Sequence, residues 1–294
     1  MKKTVLDFLE MKKKGDKMTF LTSYDYPTAS LVEKAGVDMI LVGDSASMVV
    51  YGYKGTLPMT MDTLIGHCGA VRRGAPNTFV IGDMPFLSYQ ISVSDAVYNA
   101  GRFYKEGDVD AIKLEGGRRV VAQVEAIVNA GMVVMGHVGL TPQSSAQMGG
   151  FKAQGRTADN AVEIVEDAIA IEKAGAFAIL IEGVPPEVGK IVTEVCKVPI
   201  LGIGAGMYVD GQCLIVSDML GFFEAFTPRF VKKYANLADI IQKAITAYVE
   251  DVKGVKFPEE KHCYRMIEGE ADKLKAMVDK RVSKLLKQTS LPLS

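Results

Sequence analysis

From Met18 to about Val252 the chain alternates between short apolar runs and longer stretches of helical periodicity, and few architectures accept that rhythm. The apolar runs read as strands at Met18–Thr22, Met39–Val42, Thr78–Gly82, Ala111–Leu114, Val133–His137, Phe177–Glu182, Ile200–Gly204 and Cys213–Val216. Amphipathic stretches read as helices at Pro27–Ala35, Met61–Arg73, Val93–Glu106, Arg118–Asn129, Ala158–Lys173 and Glu187–Cys196, and Leu237–Val252 follows the last strand. Strands that are continuously apolar are buried on both faces, the condition of a parallel sheet covered by helices. Eight strands in this order predict a closed (β/α)₈ TIM barrel. An open doubly wound sheet is the alternative, because strand count alone does not establish closure.

Local signals agree with this division. Thr60 and Thr157 stand where N-caps are needed, and Gly36, Gly107, Gly131 and Gly175 stand between a helix and the next strand. Three connections exceed ordinary turn length: Asp44–Thr60, Gly139–Arg156 and Asp218–Asn236. All three would leave the C-terminal ends of barrel strands, where active-site loops sit. The barrel is expected to occupy residues 1–264 as the catalytic domain, followed by a C-terminal helical extension, 265–294. In that extension Ile267, Leu274, Met277, Val278, Val282 and Leu285 share one helical face, a stripe expected to pack on the barrel or on a neighbouring subunit.

Composition narrows the function. The 34 Lys+Arg nearly balance 35 Asp+Glu, a net charge of −1, which argues against nucleic-acid or membrane-surface binding driven by charge. No apolar run approaches the roughly 18 residues of a membrane span; Val198–Val209 comes closest and is broken by Gly202, Gly204 and Gly206. The start lacks the apolar core of a secretory signal. The four cysteines are far apart, without CxxC pairing, so neither a disulfide framework nor a cysteine metal cluster is expected. A cytoplasmic protein is the expectation.

The informative polar residues sit at strand ends. Asp44 follows the second strand and Asp83 the third. Lys113 and Glu115 flank the end of the fourth, His137 ends the fifth, and Glu182 ends the sixth. A barrel would bring them to one rim, with Lys113 and Glu115 on the same face of their strand. Ionised groups gathered at a partly buried site are costly unless paired or metal-bound. A Mg²⁺ ion held by one or two carboxylates would meet that demand. Separate ion pairs and loop caps are the plain alternative. GIGAG (Gly202–Gly206) fails the dinucleotide fingerprint, because Met207 falls where its third glycine should stand. His67 lies within a helical pattern and reads as structural, and His262 lies in a polar tail. Neither Ser45 nor Ser144 has the GxSxG setting of a serine hydrolase.

The blocks LTSYDYPTA, ILVGDS, TLPMT, DMPF, IKLEGG, GHVGLTPQS, GGFKAQGRT, EGVPPE, PILGIGAGMYVDGQ and SDMLG follow one another from about Met18 to Pro258. In that order they resemble the ketopantoate hydroxymethyltransferase family. The resemblance implies a (β/α)₈ barrel that binds Mg²⁺ and assembles as a homo-oligomer, usually a decamer. It implies transfer of a hydroxymethyl group from 5,10-methylenetetrahydrofolate to 3-methyl-2-oxobutanoate, giving 2-dehydropantoate for pantothenate and coenzyme A. Carried over by motif, Asp44, Asp83 and Glu115 are metal-associated, and Asp44, Ser45, Asp83 and Lys113 contact the oxoacid. Glu182 is the proton acceptor and His137 lines the site. The residues suit that work: loss of the C3 proton leaves an enolate with charge on the C2 oxygen, which a cation stabilises, while a separate carboxylate takes the proton. Ala46-Ser47 and Lys54-Gly55 depart from the family pattern, in a loop that bears on folate contacts or oxoacid preference. A Mg²⁺-dependent lyase or mutase of the isocitrate lyase and phosphoenolpyruvate mutase group is the competing enzyme reading, and a catalytically dead binding barrel the non-enzymatic one.

Overall fold

The computed structural model describes residues 2–288, with side chains to 285. The chain divides into two compact units, Met1–Ala238 and Asp239–Ser294.

Eight strands form the first unit: β1 Met18–Thr22, β2 Met39–Val42, β3 Phe79–Asp83, β4 Ala111–Glu115, β5 Val134–Gly139, β6 Ala178–Glu182, β7 Ile200–Ile203 and β8 Gly211–Leu214. Each pairs in parallel with the next, and β8 returns to β1 through Met18↔Gly211 and Phe20↔Cys213. The sheet is therefore a closed barrel, and the open doubly wound alternative is excluded. Its helices are α1 Val5–Lys14, α2 Tyr26–Lys34, α3 Ala46–Val49, α4 Met61–Gly74, α5 Val93–Gly107, α6 Val121–Asn129, α7 Ala158–Lys173, α8 Pro186–Val195 and α9 Val216–Leu220; α10 Leu237–Lys253 and α11 Glu270–Gln288 follow.

The apolar residues sort into two layers by strand parity. Met18, Phe20, Met39, Leu41, Ile81, Met135 and Leu180 belong to the cluster inside the barrel. Ile40, Val80, Ile112, Leu114, Val134 and Ile179 belong to the layer between sheet and helices. Two strand glycines admit the helices closely. An added Cβ at Gly82 would lie 2.6 Å from the Phe103 ring of α5, and one at Gly136 would collide with Ile171 of α7.

Several local expectations hold and others shift. The Thr60 and Thr157 hydroxyls accept the Thr63 and Asn160 N–H groups. Gly36, Gly131 and Gly175 take positive φ. Gly107 does not: it ends α5, and Asp108 takes the left-handed turn at φ 52°. Gly107 is small because a Cβ there would meet that of Cys68 at 3.0 Å. Strands β3, β5 and β8 are displaced by one or two residues, and the turn Arg118–Val120 is a 3₁₀ segment leading into α6. No helix separates β7 from β8; residues 204–210 make the crossover, with Gly204 and Gly206 at positive φ.

Sequence periodicity did not single out α1, although Thr4 and Asp7 form its capping box. It seats Phe8, fully buried, edge-on to Phe79 with ring centroids 5.2 Å apart, at the N-terminal ends of the strands. Helix α10, expected as the eighth barrel helix, falls in the second unit and has no buried residue. The stripe from Ile267 to Leu285 is exposed as well. Among the described residues no helix is long and apolar enough to cross a membrane, and all four cysteines are free.

Candidate active site

Strand parity delivers the charged groups to the lumen. On β4, Lys113 and Glu115 share the parity of Ala111, which faces inward, while Ile112 and Leu114 face the helices. The same holds for Asp83 after Ile81, His137 after Met135 and Glu182 after Leu180. Parallel register then sets Asp83 beside Lys113 and Glu115 beside His137. Asp44 and Ser45 follow β2. The Asp44 backbone N–H donates to Asp83 Oδ2 at 3.0 Å, and Tyr24 Oη lies 2.8 Å from Ser45 Oγ. Asp44, Ser45, Asp83, Lys113, Glu115, His137 and Glu182 all line one cavity of about 830 Å³.

Asp44, Asp83, Glu115 and Lys113 are each 4 % exposed or less. Three carboxylates and one ammonium leave two negative charges without a balance, an expensive state in a buried site. Burial, then repulsion from Asp83 and Glu115, raises the Asp44 pKa well above the usual carboxylate range. Burial also pushes Glu115 up to about 7, against the pull of Lys113. For Lys113, burial works in the opposite direction, but Asp83, Glu115 and Asp44 outweigh it and hold the ammonium charged. Lys113 Nζ stands 2.7 Å from Asp83 Oδ1 as an ion pair, yet that oxygen has no aligned hydrogen bond among the described residues. A divalent cation would cancel the excess charge. Among the described residues no three His, Cys, Asp or Glu side chains are gathered closely enough to close a cage around an ion. The fit is thus to a hard ion that takes one or two carboxylates and keeps its other positions for water or substrate.

A second chain of contacts leads away from this cluster. Lys113 Nζ lies 3.2 Å from His137 Nδ1. An ammonium only donates, so Nδ1 is the acceptor and the ring proton sits on Nε2. That nitrogen is 3.4 Å from Glu182 Oε2. Burial, then Lys113, lowers the His137 pKa, so the ring is neutral. Burial raises the Glu182 pKa, with His137 opposing. Glu182 is a carboxylate set apart from the charge-rich cluster, with its proton affinity shifted toward neutrality.

Three participants lay outside the residues singled out in the sequence. Gln143, in the GLTPQS block, donates from Nε2 to Asp44 Oδ2 at 2.9 Å and to the Met84 carbonyl at 2.9 Å. Its backbone N–H donates to Glu115 Oε2 at 2.9 Å. Tyr89 Oη donates to Gln143 Oε1 at 2.7 Å, and Asp218, in the SDMLG block, lines the cavity. Their signal was position: Gln143 and Asp218 fall in long connections after β5 and β8. Nothing local distinguishes Tyr89. His67, by contrast, is structural as expected, with Nδ1 2.5 Å from the Tyr24 carbonyl oxygen and Nε2 2.9 Å from Tyr51 Oη. The departing Ser47 is buried, and its hydroxyl donates to the Gly55 carbonyl at 2.8 Å. The departure therefore serves to tie the loop.

A barrel whose C-terminal rim concentrates buried carboxylates, a lysine and a further carboxylate of raised proton affinity is that of an enzyme. The ketopantoate hydroxymethyltransferase family matches residues 2–260. A 3-methyl-2-oxobutanoate hydroxymethyltransferase from Alkaliphilus metalliredigens (strain QYMF) is 57% identical over 91% of this chain and 94% of its own length. One from Clostridium beijerinckii (strain ATCC 51743 / NCIMB 8052) is 50% identical over 93% and 100%. The chain belongs to the ketopantoate hydroxymethyltransferase family and is a hydroxymethyl-transferring enzyme. Among solved structures, phosphonopyruvate hydrolase in complex with oxalate and Mg²⁺ aligns with a TM-score of 0.55 at 17% identity, over 96% of this chain and 99% of that one. A 2,3-dimethylmalate lyase of the PEP mutase/isocitrate lyase superfamily aligns at 0.57 and 17%, over 94% and 99%. At that identity they speak for the fold.

Proposed function

We propose that the chain transfers the one-carbon unit of 5,10-methylenetetrahydrofolate, as a hydroxymethyl group whose oxygen comes from water, to C3 of 3-methyl-2-oxobutanoate, giving 2-dehydropantoate and tetrahydrofolate. The observation that carries this reading is the separation of tasks in one cavity. Three carboxylates and Lys113 form one cluster, and Glu182 stands beyond His137 as a free base. Asp44 and Asp83, with Glu115 beside them, would hold Mg²⁺, which supplies positive charge against the developing enolate. Lys113 adds a fixed cation, and Ser45 offers a hydroxyl for the oxoacid. Glu182 accepts the C3 proton, with His137 Nε2 standing 3.4 Å from its carboxylate. The isolation of Glu182 also speaks for this reading over a lyase or mutase, since abstraction from C3 needs a base that is free of the cation. The seven rim residues likewise oppose a catalytically dead barrel, because they retain an unbalanced buried charge that function alone repays.

The test is oxoacid-dependent consumption of the folate donor, with Mg²⁺ and with a chelator. A chelator-insensitive reaction, or cleavage of the oxoacid in place of transfer, would refute the reading. Glu182→Gln probes the base separately through deuterium exchange at C3 without folate. Exchange should fall by at least about a hundredfold, the usual contribution of a positioned base. In the wild type the exchange rate should rise with pH as Glu182 loses its proton, with a midpoint above that of an ordinary glutamate, because burial raises its pKa. Wild-type exchange in the variant would transfer the role to His137.

A further inference from the structure

The cavity is larger than a five-carbon oxoacid needs: its volume of about 830 Å³ lies within the range of roughly 300–1,000 Å³ that serves ligands of drug size. Its two sides also differ in chemistry. The β2–β6 side carries the charged cluster and Glu182. The opposite side is formed by Ile203, Gly204, Cys213, Ile215 and Asp218, with phenylalanines from the segment after α9. In the closed strand order β8 stands across the barrel from β4, so Asp218, in the helix that follows β8, belongs to a segment leaving the barrel opposite the Lys113–Glu115 strand.

Asp218 is 4 % exposed, and its Oδ1 has no hydrogen-bond partner among the described residues. A buried acceptor left without a donor is costly and marks a place where a donor is expected. The surroundings say what kind of donor. Phe223, Phe226 and Phe230 line the same cavity as Asp218, and the last two are 60% and 38% exposed, so aromatic surface stands open to a ligand in it. Phe230 is seated closely: a Cβ on Gly204 would lie 2.6 Å from its Cδ1. A flat ring bearing N–H groups satisfies both features, its faces against the phenylalanines and its edge on the carboxylate.

We infer that Asp218 anchors the reduced pterin ring of the one-carbon donor, accepting hydrogen bonds from its N–H groups, while Phe226 and Phe230 cover the ring. This rests on the proposed function and deepens it, since it assigns the two substrates to opposite sides of the barrel mouth. Burial pushes the Asp218 pKa up to about 6, with Lys233 opposing, so the group remains an acceptor at neutral pH.

The experiment compares the wild type with Asp218→Asn, a near-isosteric change that removes the charge and one acceptor. Tetrahydrofolate binding is measured by calorimetry, and C3 deuterium exchange of 3-methyl-2-oxobutanoate is followed without folate. The variant should bind tetrahydrofolate at least about tenfold more weakly, the size expected for a lost charge-assisted hydrogen bond. It should exchange C3 within twofold of the wild type. Unchanged tetrahydrofolate affinity in the variant overturns the assignment. So does loss of exchange in a folded variant, which would place Asp218 at the oxoacid. A wild type that exchanges C3 but does not bind tetrahydrofolate overturns both the donor reading and this assignment. A wild type that binds tetrahydrofolate without exchanging C3 overturns only the oxoacid reading, and the binding comparison still decides on Asp218.

Discussion

Asp83 shows how one side chain serves stability and chemistry together. It accepts the Asp44 backbone N–H through Oδ2 and faces Lys113 Nζ through Oδ1. Asp83→Ala should abolish Mg²⁺-dependent turnover. It should also lower stability, because Lys113 would lose its closest counter-charge in a site only 2% exposed; breaking such a buried pair costs about 3–5 kcal/mol. Asp83→Asn should recover much of the stability and none of the turnover. Thermal melting with the turnover assay separates the two effects, and an alanine variant as stable as the wild type would contradict this account. Gln143 makes a cleaner probe because it carries no charge. Its side-chain amide holds Asp44, and its backbone N–H holds Glu115. Gln143→Leu frees Asp44 while leaving the backbone contact, so Mg²⁺ affinity by calorimetry should fall roughly tenfold, the usual effect of losing a group that orients a ligand. Unchanged affinity would leave Gln143 with a packing role only.

At the scale of elements, the site depends on how strand ends approach one another. Gly139, the last residue of β5, has φ 89°, and a Cβ there would collide with the Glu182 carbonyl and lie 2.9 Å from Val184. Only glycine meets both conditions. Gly139→Ala should therefore displace the end of β6, and Glu182 with it. We expect a stability loss of about 2 kcal/mol or more and a fall in C3 exchange larger than any change in metal affinity, because the carboxylates proposed for the metal lie at the ends of β2–β4. Equal losses in both readouts would mean that the whole rim had moved. Elements also account for what was legible beforehand. Strand cores were, because continuous apolar runs have few other uses. Helix α1 was not, because a short N-terminal helix whose main buried group is Phe8 leaves little periodicity to read. Gln143 and Asp218 lay in quoted blocks, but the segments that hold them, the 3₁₀ turn Pro142–Ser144 and the five-residue α9, are too short to carry a period from which the direction of a side chain follows.

For the whole molecule, the apolar faces of the second unit raise the question of assembly. Ile241, Ile245, Tyr248 and Val252 of α10 are 46%, 57%, 58% and 43% exposed, spaced as one helical face. Exposed apolar patches of that kind mark interaction surfaces, in keeping with the homo-oligomer that the family resemblance implies. Ile241→Glu with Ile245→Glu should lower the mass measured by light scattering. Removing 265–294, whose apolar stripe is exposed in the single chain, should leave a folded barrel that still turns over oxoacid; if a second copy covers that stripe, its aliphatic groups at about 25 cal/mol per Å² amount to a few kcal/mol before ordering entropy, and the truncated assembly should melt lower. A charged double variant that keeps its mass would remove α10 from the interface.

The sequence by itself determined the class of fold and the level of the site. Period and burial are local properties, so strands, helices and the charged residues at strand ends could be read in order. Family blocks added the chemistry. Closure was decided only in three dimensions, by the pairing of β1 with β8, as was the His137 tautomer, which depends on Lys113 arriving from a neighbouring strand. Tertiary structure alone also decided that Gln143 spans two carboxylates and that buried Asp218 Oδ1 has no donor among the described residues. These are facts of distance between segments far apart in the chain, and no local pattern encodes a distance.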